Sequence, residues 1–427
     1  MQKAWIWLAP VVLAVAVLGI AAPQAQEGAG RAVKAARCEP GRACAARVAR
    51  RKARSAPAAR QGRPAVAGQA QKNKAIERTP YTEQDVEAAV IPGLPGVRFW
   101  GDSLGAFSRV LPSAKGPWLI LSSGGSSGAY GAGVLNGMSQ AGKRPEFSVV
   151  TGVSIGALMA PYAFLGRKYD DRLRDNFLDL TSADVFEDAS RADSLMDTWP
   201  LKDLLAKRVT PELLADIAAE HNKGRRLFVV TCNLDAERAV VWNMGAIAAH
   251  GGEAALNLFR QVLLAASAIP GMFPPVYIEA EAGGRKFQEM HVDGGVFGPF
   301  YAAPPSWLIE PAGELPVSQL YVIVHSKMVP EFDLTGAEKA YIIGRMISAA
   351  EKAGAQAELA LLSAAAKREG IELNVAYVPD TFQEAAQTSF DQKQMKALYE
   401  LGIAQAKSGT AFRTQNAAPS GQAETKP

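Results

Sequence analysis

The 427-residue chain is poor in cysteine and histidine, with three and four. Three cysteines cannot build a disulfide-dense scaffold. Four histidines leave little for a His-based metal cage. No HExxH, EF-hand loop or paired-Cys zinc spacing occurs, so neither a metal nor a cofactor is expected. No Gly-rich turn carries the Gly-Lys-Ser/Thr of a phosphate loop, and Gly131 and Gly133 are followed by Asn136 where a dinucleotide fingerprint needs a third glycine. There is no internal repeat. Apolar residues make up 48% and charged residues 21%, which excludes a wholly disordered chain.

The net charge of +4 hides an asymmetry. Residues 31–78 hold 14 Lys and Arg against Glu39 and Glu77, a local charge of +12. Lys3 and Glu27 cancel, so residues 79–427 carry −8. A mildly acidic body is joined to a basic arm, and nothing in the body calls for nucleic acid.

Lys3 precedes an uncharged run from Trp5 to Ala22, then small residues to Ala25. This is the pattern of an export signal. At about 18 residues the run is also near the lower limit of a spanning helix, so an uncut anchor to the inner membrane through residues 5–22 competes. Either way the body is expected outside the cytoplasm, in the periplasm or secreted. Residues 26–78, rich in Ala, Arg, Gly, Pro and Gln, read as a disordered linker. They include Cys38 and Cys44, which would close only a small loop. The arm is a solvated tether, or it is drawn to anionic lipid or envelope polymer at about 1 kcal/mol per basic residue near a charged surface. Residues 409–427 read as a second disordered tail.

The body, 79–408, alternates strand and helix signals. Apolar runs at Trp118–Ser122, Phe147–Val150, Leu227–Cys232, Leu320–His325 and Leu373–Val378 suit buried strands. Ala239–Trp242 suits a neighbouring strand, and Phe287–Val292 alternates. Helical spacing covers Gly128–Ala141, Ile155–Phe164, Leu201–Ala219, Ala254–Ala266, Glu338–Lys367 and Gln392–Lys407. The alternation predicts a three-layer α/β/α sandwich around a mostly parallel sheet. In such sheets, sites form at the carboxyl ends of strands.

Three segments carry chemistry. Gly152-Val153-Ser154-Ile155-Gly156 follows a strand and opens a helix, the context that gives G-x-S-x-G its meaning. The sharp turn lifts the serine, and the flanking glycines avoid a clash where the chain closes on itself. Ser122-Ser123-Gly124-Gly125-Ser126-Ser127-Gly128 also joins a strand to a helix. Bare amides there can converge on an anion. An oxyanion fits better than a phosphate, because the next strand delivers a candidate nucleophile. Asp293-Gly294-Gly295 ends a strand, and Asp293 is a candidate base for Ser154.

The order of these segments resembles the patatin-like phospholipase family, with its Gly-rich oxyanion loop, G-x-S-x-G elbow and D-G-G/A aspartate. The matching residues are Gly124, Gly125 and Gly128, then Gly152, Ser154 and Gly156, then Asp293, Gly294 and Gly295. Ala129–Leu135 and Ala266–Pro275 add flanking similarity, and the resemblance spans roughly residues 115–330. Ser123 stands where the family's loop has its first glycine, and Ser127 where it has a basic residue. The resemblance implies a lipid acyl hydrolase with a Ser154–Asp293 dyad, no histidine, and the N–H groups of Gly124, Gly125 and Ser126 as oxyanion hole. Its substrates are phospholipids or other acyl esters. A carboxylate base must be desolvated, so the Asp293 pKa should be raised and activity should fall at low pH.

Two other readings remain. A Ser-Asp-His esterase would recruit His325, which follows Asp293 in the right chain order, but a single well-placed His reads more readily as a surface or strand-capping residue. A catalytically weak lipid- or protein-binding module would keep the fold and lose turnover. His291 shares a strand face with Asp293. His221 and His250 look structural. Tyr130 and Trp242 read as core and Cys232 as a buried hydrophobe. Met272–Pro275 reads as an acyl-pocket wall or a packed loop.

Overall fold

The computed structural model describes residues 77–189, 192–310, 313–383, 386 and 389–415. The export signal or anchor, Cys38, Cys44 and most of the basic arm lie outside the described residues, as do residues 416–427.

Ten strands form the main sheet: β1 (Arg98–Trp100), β2 (Gly116–Leu121), β3 (Val149–Val153), β4 (Arg226–Asn233), β5 (Arg238–Asn243), β6 (Val276–Ala282), β7 (Arg285–Asp293), β8 (Val317–Val324), β9 (Glu372–Tyr377) and β10 (Arg413–Gln415). The order is β1-β5-β4-β3-β2-β8-β9-β10, with the β6–β7 hairpin attached through β7 to β4. The centre, β4-β3-β2-β8-β9, is parallel, and the flanking pairs are antiparallel.

Both faces of the central strands are buried, so their sequences are continuous apolar runs. Leu119 and Leu121 enter one hydrophobic cluster, and Trp118 and Ile120 enter the other. The first cluster packs under helices α1 (Gly128–Gln140), α2 (Ile155–Leu165) and, late in the chain, Gln392–Ser408. The second packs under α3 (Lys339–Arg368) through Ala355, Leu362, Ala365 and Ala366. The Gln392–Ser408 helix is α4 below. Four glycines make α1 a poor helix former, but they let α4 approach closely: a Cβ on Gly133 would stand 2.1 Å from the Tyr399 carbonyl.

Some expectations shift. The stretch Leu201–Ala219 is two helices, Trp199–Arg208 and Pro211–Asn222. Pro211 disfavours helical geometry at Thr210, which instead caps the second helix, its Oγ1 accepting from Leu213 N at 3.3 Å. The fold also includes residues 409–415, read from sequence as tail: Ala411 is buried and β10 pairs with β9. At the other end, the Arg78 guanidinium donates to Asp235 and to the Gln288 carbonyl. Among the described residues no helix is long and apolar enough to cross a membrane.

Candidate active site

Strand register brings two of the three segments together. β3 ends at Val153, opposite Val230 of β4. β7 runs the other way along the same edge of β4 and ends at Asp293, opposite Thr231, the next residue. The carboxyl ends of β3 and β7 therefore meet head to head, with Ser154 and Asp293 at the junction.

Ser154 has φ 54° and ψ −123°, a conformation that L-residues rarely adopt. The turn holds because the chain closes tightly around it. A Cβ on Gly152 would lie 2.4 Å from the Gly156 carbonyl, and one on Gly156 would lie 2.5 Å from the Leu121 carbonyl. Only glycine fits either position. Ser154 is nearly buried, at 8% exposed, and α2 starts at the next residue, directing its first free N–H groups to the same place.

The Gly-rich loop leaves β2 and enters α1. Gly124, with φ 144°, lies against His325, where a Cβ would meet the His325 carbonyl at 2.5 Å. Ser123 N donates to Pro299 O at 2.7 Å, and Ser127 N donates to Gly124 O at 3.1 Å. Between them, the N–H groups of Gly124, Gly125 and Ser126 donate to no backbone carbonyl among the described residues. Three consecutive open amides at the carboxyl end of a strand suit a developing negative oxygen. A Cβ on Gly128 would lie 2.7 Å from Ile155, next to Ser154, and one on Gly295 would lie 4.0 Å from Ser123. The loop thus touches both of the other segments.

The Asp293 carboxyl is buried, and its Oδ1 accepts from Gly295 N at 2.8 Å. The Ser154 hydroxyl interacts with this carboxyl, yet Oδ2 has no hydrogen bond of regular geometry. The two groups are adjacent and not closed by a regular hydrogen bond. Burial raises the Asp293 pKa from 3.8 to about 7, against the lowering effect of Ser154 and the Gly295 amide, and Glu351 raises it further.

Glu351 was not singled out by the sequence reading. It lies on α3, and its carboxyl pKa is raised by burial and lowered by a hydrogen bond with Ser123. Seven residues on, Glu358 is half-buried against the turn after Asp293. Phe300 N donates to its Oε2 at 3.4 Å, and burial raises its pKa to about 8. Residues 351, 355, 358 and 362 form one heptad stripe. That spacing was the available signal.

The histidines take no place beside the Ser154 hydroxyl. His325 is not a surface residue but fully buried. Its N–H donates to Ser122 Oγ, and its Nδ1 donates to the Ser122 carbonyl, both at 2.8 Å. Nε2 has no partner and faces Gly131, so neither ring nitrogen meets a carboxylate. Burial lowers its pKa to about 4. His291 is also fully buried, its Nδ1 2.9 Å from Thr231 Oγ1 and its Nε2 3.2 Å from Glu289 Oε2. Glu289 in turn pairs with Arg98, and Trp242 Nε1 donates to Thr231 Oγ1 at 2.8 Å. This network ties β1, β4, β5 and β7 together behind Asp293. Burial pushes the Glu289 pKa up, but the bonds to His291 and Arg98 outweigh it and hold it at about 2.

Ile155 lines a narrow apolar cavity with Leu158, Phe177, Leu201 and Leu263. Met272–Pro275 does not line it; Phe273 packs on Phe186, with ring centroids 5.7 Å apart. Cys232 is buried, which pushes its thiol up to about 12. Among the described residues no cluster of three or more His, Cys, Asp or Glu could hold a metal ion.

A family model described as patatin-like phospholipase matches residues 119–304. The match begins in β2 and takes in all three segments. Residues 119–304 are therefore similar to a patatin-like phospholipase domain. The matched residues take in β2 to β7, and the mixed, mostly parallel sheet between helix layers agrees with that family's fold. At family level the match supports a lipid hydrolase. One solved structure found by shape is VipD from Legionella pneumophila, at 12% identity and a TM-score of 0.30, covering 70% of this chain and 68% of that one. No curated protein matches the chain in sequence.

Proposed function

We propose that the chain is a serine acyl hydrolase that cleaves ester bonds of phospholipids or other acyl lipids through a Ser154–Asp293 dyad. Ser154 Oγ attacks the ester carbonyl while Asp293 Oδ2 takes its proton. The tetrahedral oxyanion is held by the N–H groups of Gly124, Gly125 and Ser126, where each donor is worth about 2.7–4 kcal/mol. The alcohol leaves with the proton from Asp293. Water, deprotonated by the same carboxylate, then releases the acyl group.

One observation carries this reading: an orphaned, buried carboxylate oxygen beside the Ser154 hydroxyl, at the mouth of a loop with three open amides. A carboxylate is a weak base in water, and a pKa near 7 makes this one competent at neutral pH. His325 is left a structural role, because its Nδ1 proton is committed to Ser122. Ser127 in place of a basic residue removes a cation from the loop, which disfavours anionic head groups. From sequence alone, the protein is exported or anchored outside the cytoplasm.

The test is hydrolysis of a short-chain ester and of phosphatidylcholine by the wild type, Ser154→Ala and Asp293→Ala. Both variants should lose at least about 10³-fold in rate. His325→Ala that folds should keep most activity. Hydrolysis that survives Ser154→Ala refutes the scheme.

A further inference from the structure

We propose that the segment from Val329 to Met346 docks on the surface of a zwitterionic lipid bilayer, presenting the active site to substrate still in the membrane. This rests on the reading of the chain as a lipid acyl hydrolase. Phe332 is 96% exposed and Leu334 87%. Tyr341, Ile342 and Met346, on the first two turns of α3, are each more than half exposed. Five large apolar side chains in fifteen residues exceed the single exposed residues normal on a protein surface.

The shape favours a fluid partner over a folded one. Phe332 and Leu334 stand out from a loop instead of lining a groove. A protein partner would need a matching pocket, whereas acyl chains flow around a protruding tip. The loop is held in this posture from behind. The Glu331 carboxylate bridges Lys327 at 2.8 Å and Lys352 at 2.5 Å. Arg345 donates to the Glu331 carbonyl at 2.8 Å, and Gln356 to the Met328 carbonyl at 2.5 Å. Two of the segment's ionic groups, Glu331 and Arg345, are thus held by contacts behind the tip, and the apolar tip is left forward. From 327 to 346, Lys327, Lys339 and Arg345 balance Glu331, Asp333 and Glu338. A neutral apolar tip matches a zwitterionic surface and has no need of an anionic one.

The patch is also continuous with the candidate site. Gly354, about 12 Å along α3 from Met346 by the helical rise, packs on Pro299, where a Cβ would meet Cδ at 3.0 Å. That turn follows Asp293-Gly294-Gly295, and its Val296 and Phe297 are about half exposed. One rigid helix therefore joins the apolar tip to the site's rim.

The test places an environment-sensitive fluorophore on Phe332→Cys in the full chain, with Cys38→Ser and Cys44→Ser. Cys232 is buried and its thiol stays protonated, so it takes no label. An exposed position outside the patch, Lys143→Cys, is the control. Vesicles of dioleoylphosphatidylcholine in 0.5 M salt, which suppresses the basic arm, should shift the emission at 332 to the blue and leave 143 unchanged. Phe332→Ser with Leu334→Ser should lower the ratio of vesicle to short-chain soluble ester hydrolysis by at least about tenfold, with the soluble rate kept. No emission change at 332 overturns the proposal. A change that needs protein concentration and no vesicle also overturns it, assigning the patch to a second copy. Loss of soluble ester hydrolysis in the wild type would instead refute the enzymatic reading, and the fluorophore would still report on docking.

Discussion

Asp293→Asn should abolish ester hydrolysis and, above pH 7, make the fold more stable. Burial raises the carboxyl from 3.8 to about 7 in the folded protein. Between these values the unfolded chain loses a proton that the folded chain keeps, so this group's contribution to stability falls as pH rises through the window. By pH 8 the buried carboxylate is ionised at a cost of about three pKa units, on the order of 4 kcal/mol. Asparagine has the same shape and no charge. Its oxygen can keep the Gly295 amide, and its NH2 can donate to Ser154 Oγ where Oδ2 now has no partner. The variant should match the wild type at pH 4 and exceed it by up to about 4 kcal/mol at pH 8. Urea denaturation of both proteins at the two pH values measures this. Over the same range, wild-type hydrolysis should fall about tenfold per pH unit below pH 7. Equal stability at pH 8, or a rate flat from pH 8 to pH 5, would refute the argument.

Other perturbations follow from the same geometry. Glu351→Gln removes a like charge near Asp293, so the acid limb of the pH–rate profile should move to lower pH. An unmoved limb would separate the two carboxyls. Glu289→Ala strands Arg98 and His291 in a buried network, and urea denaturation should report a loss of about 3–5 kcal/mol. Gly124→Ala sets a Cβ 2.5 Å from the His325 carbonyl and should cost activity before it costs folding, read by ester hydrolysis against circular dichroism.

The chemistry-bearing segments were legible because each is local. Gly152–Gly156 and Gly124–Gly128 announce tight turns between strand and helix by composition alone. The central strands were legible as apolar runs because both faces are buried. Elements that depend on distant partners were harder. β6 reads Val-Tyr-Ile-Glu-Ala-Glu-Ala, too mixed to stand out, and only the positive-φ pair Gly283-Gly284 signals its hairpin with β7. The meeting of β3 and β7 along β4 is a matter of register, which no local pattern encodes. His325 looked exposed because a polar residue at a strand end usually is; the glycines at 124 and 131 let it sink into the core. Glu351 and Glu358 sit in an Ala-rich helix whose acids read as solvent-facing.

The most direct test of the central claim is labelling with a fluorophosphonate, followed by peptide mapping. The label should fall on Ser154, vanish in Ser154→Ala, and form more slowly below pH 7 as Asp293 takes up a proton. Folded wild-type protein that takes no label, or takes it at another serine, would contradict the account.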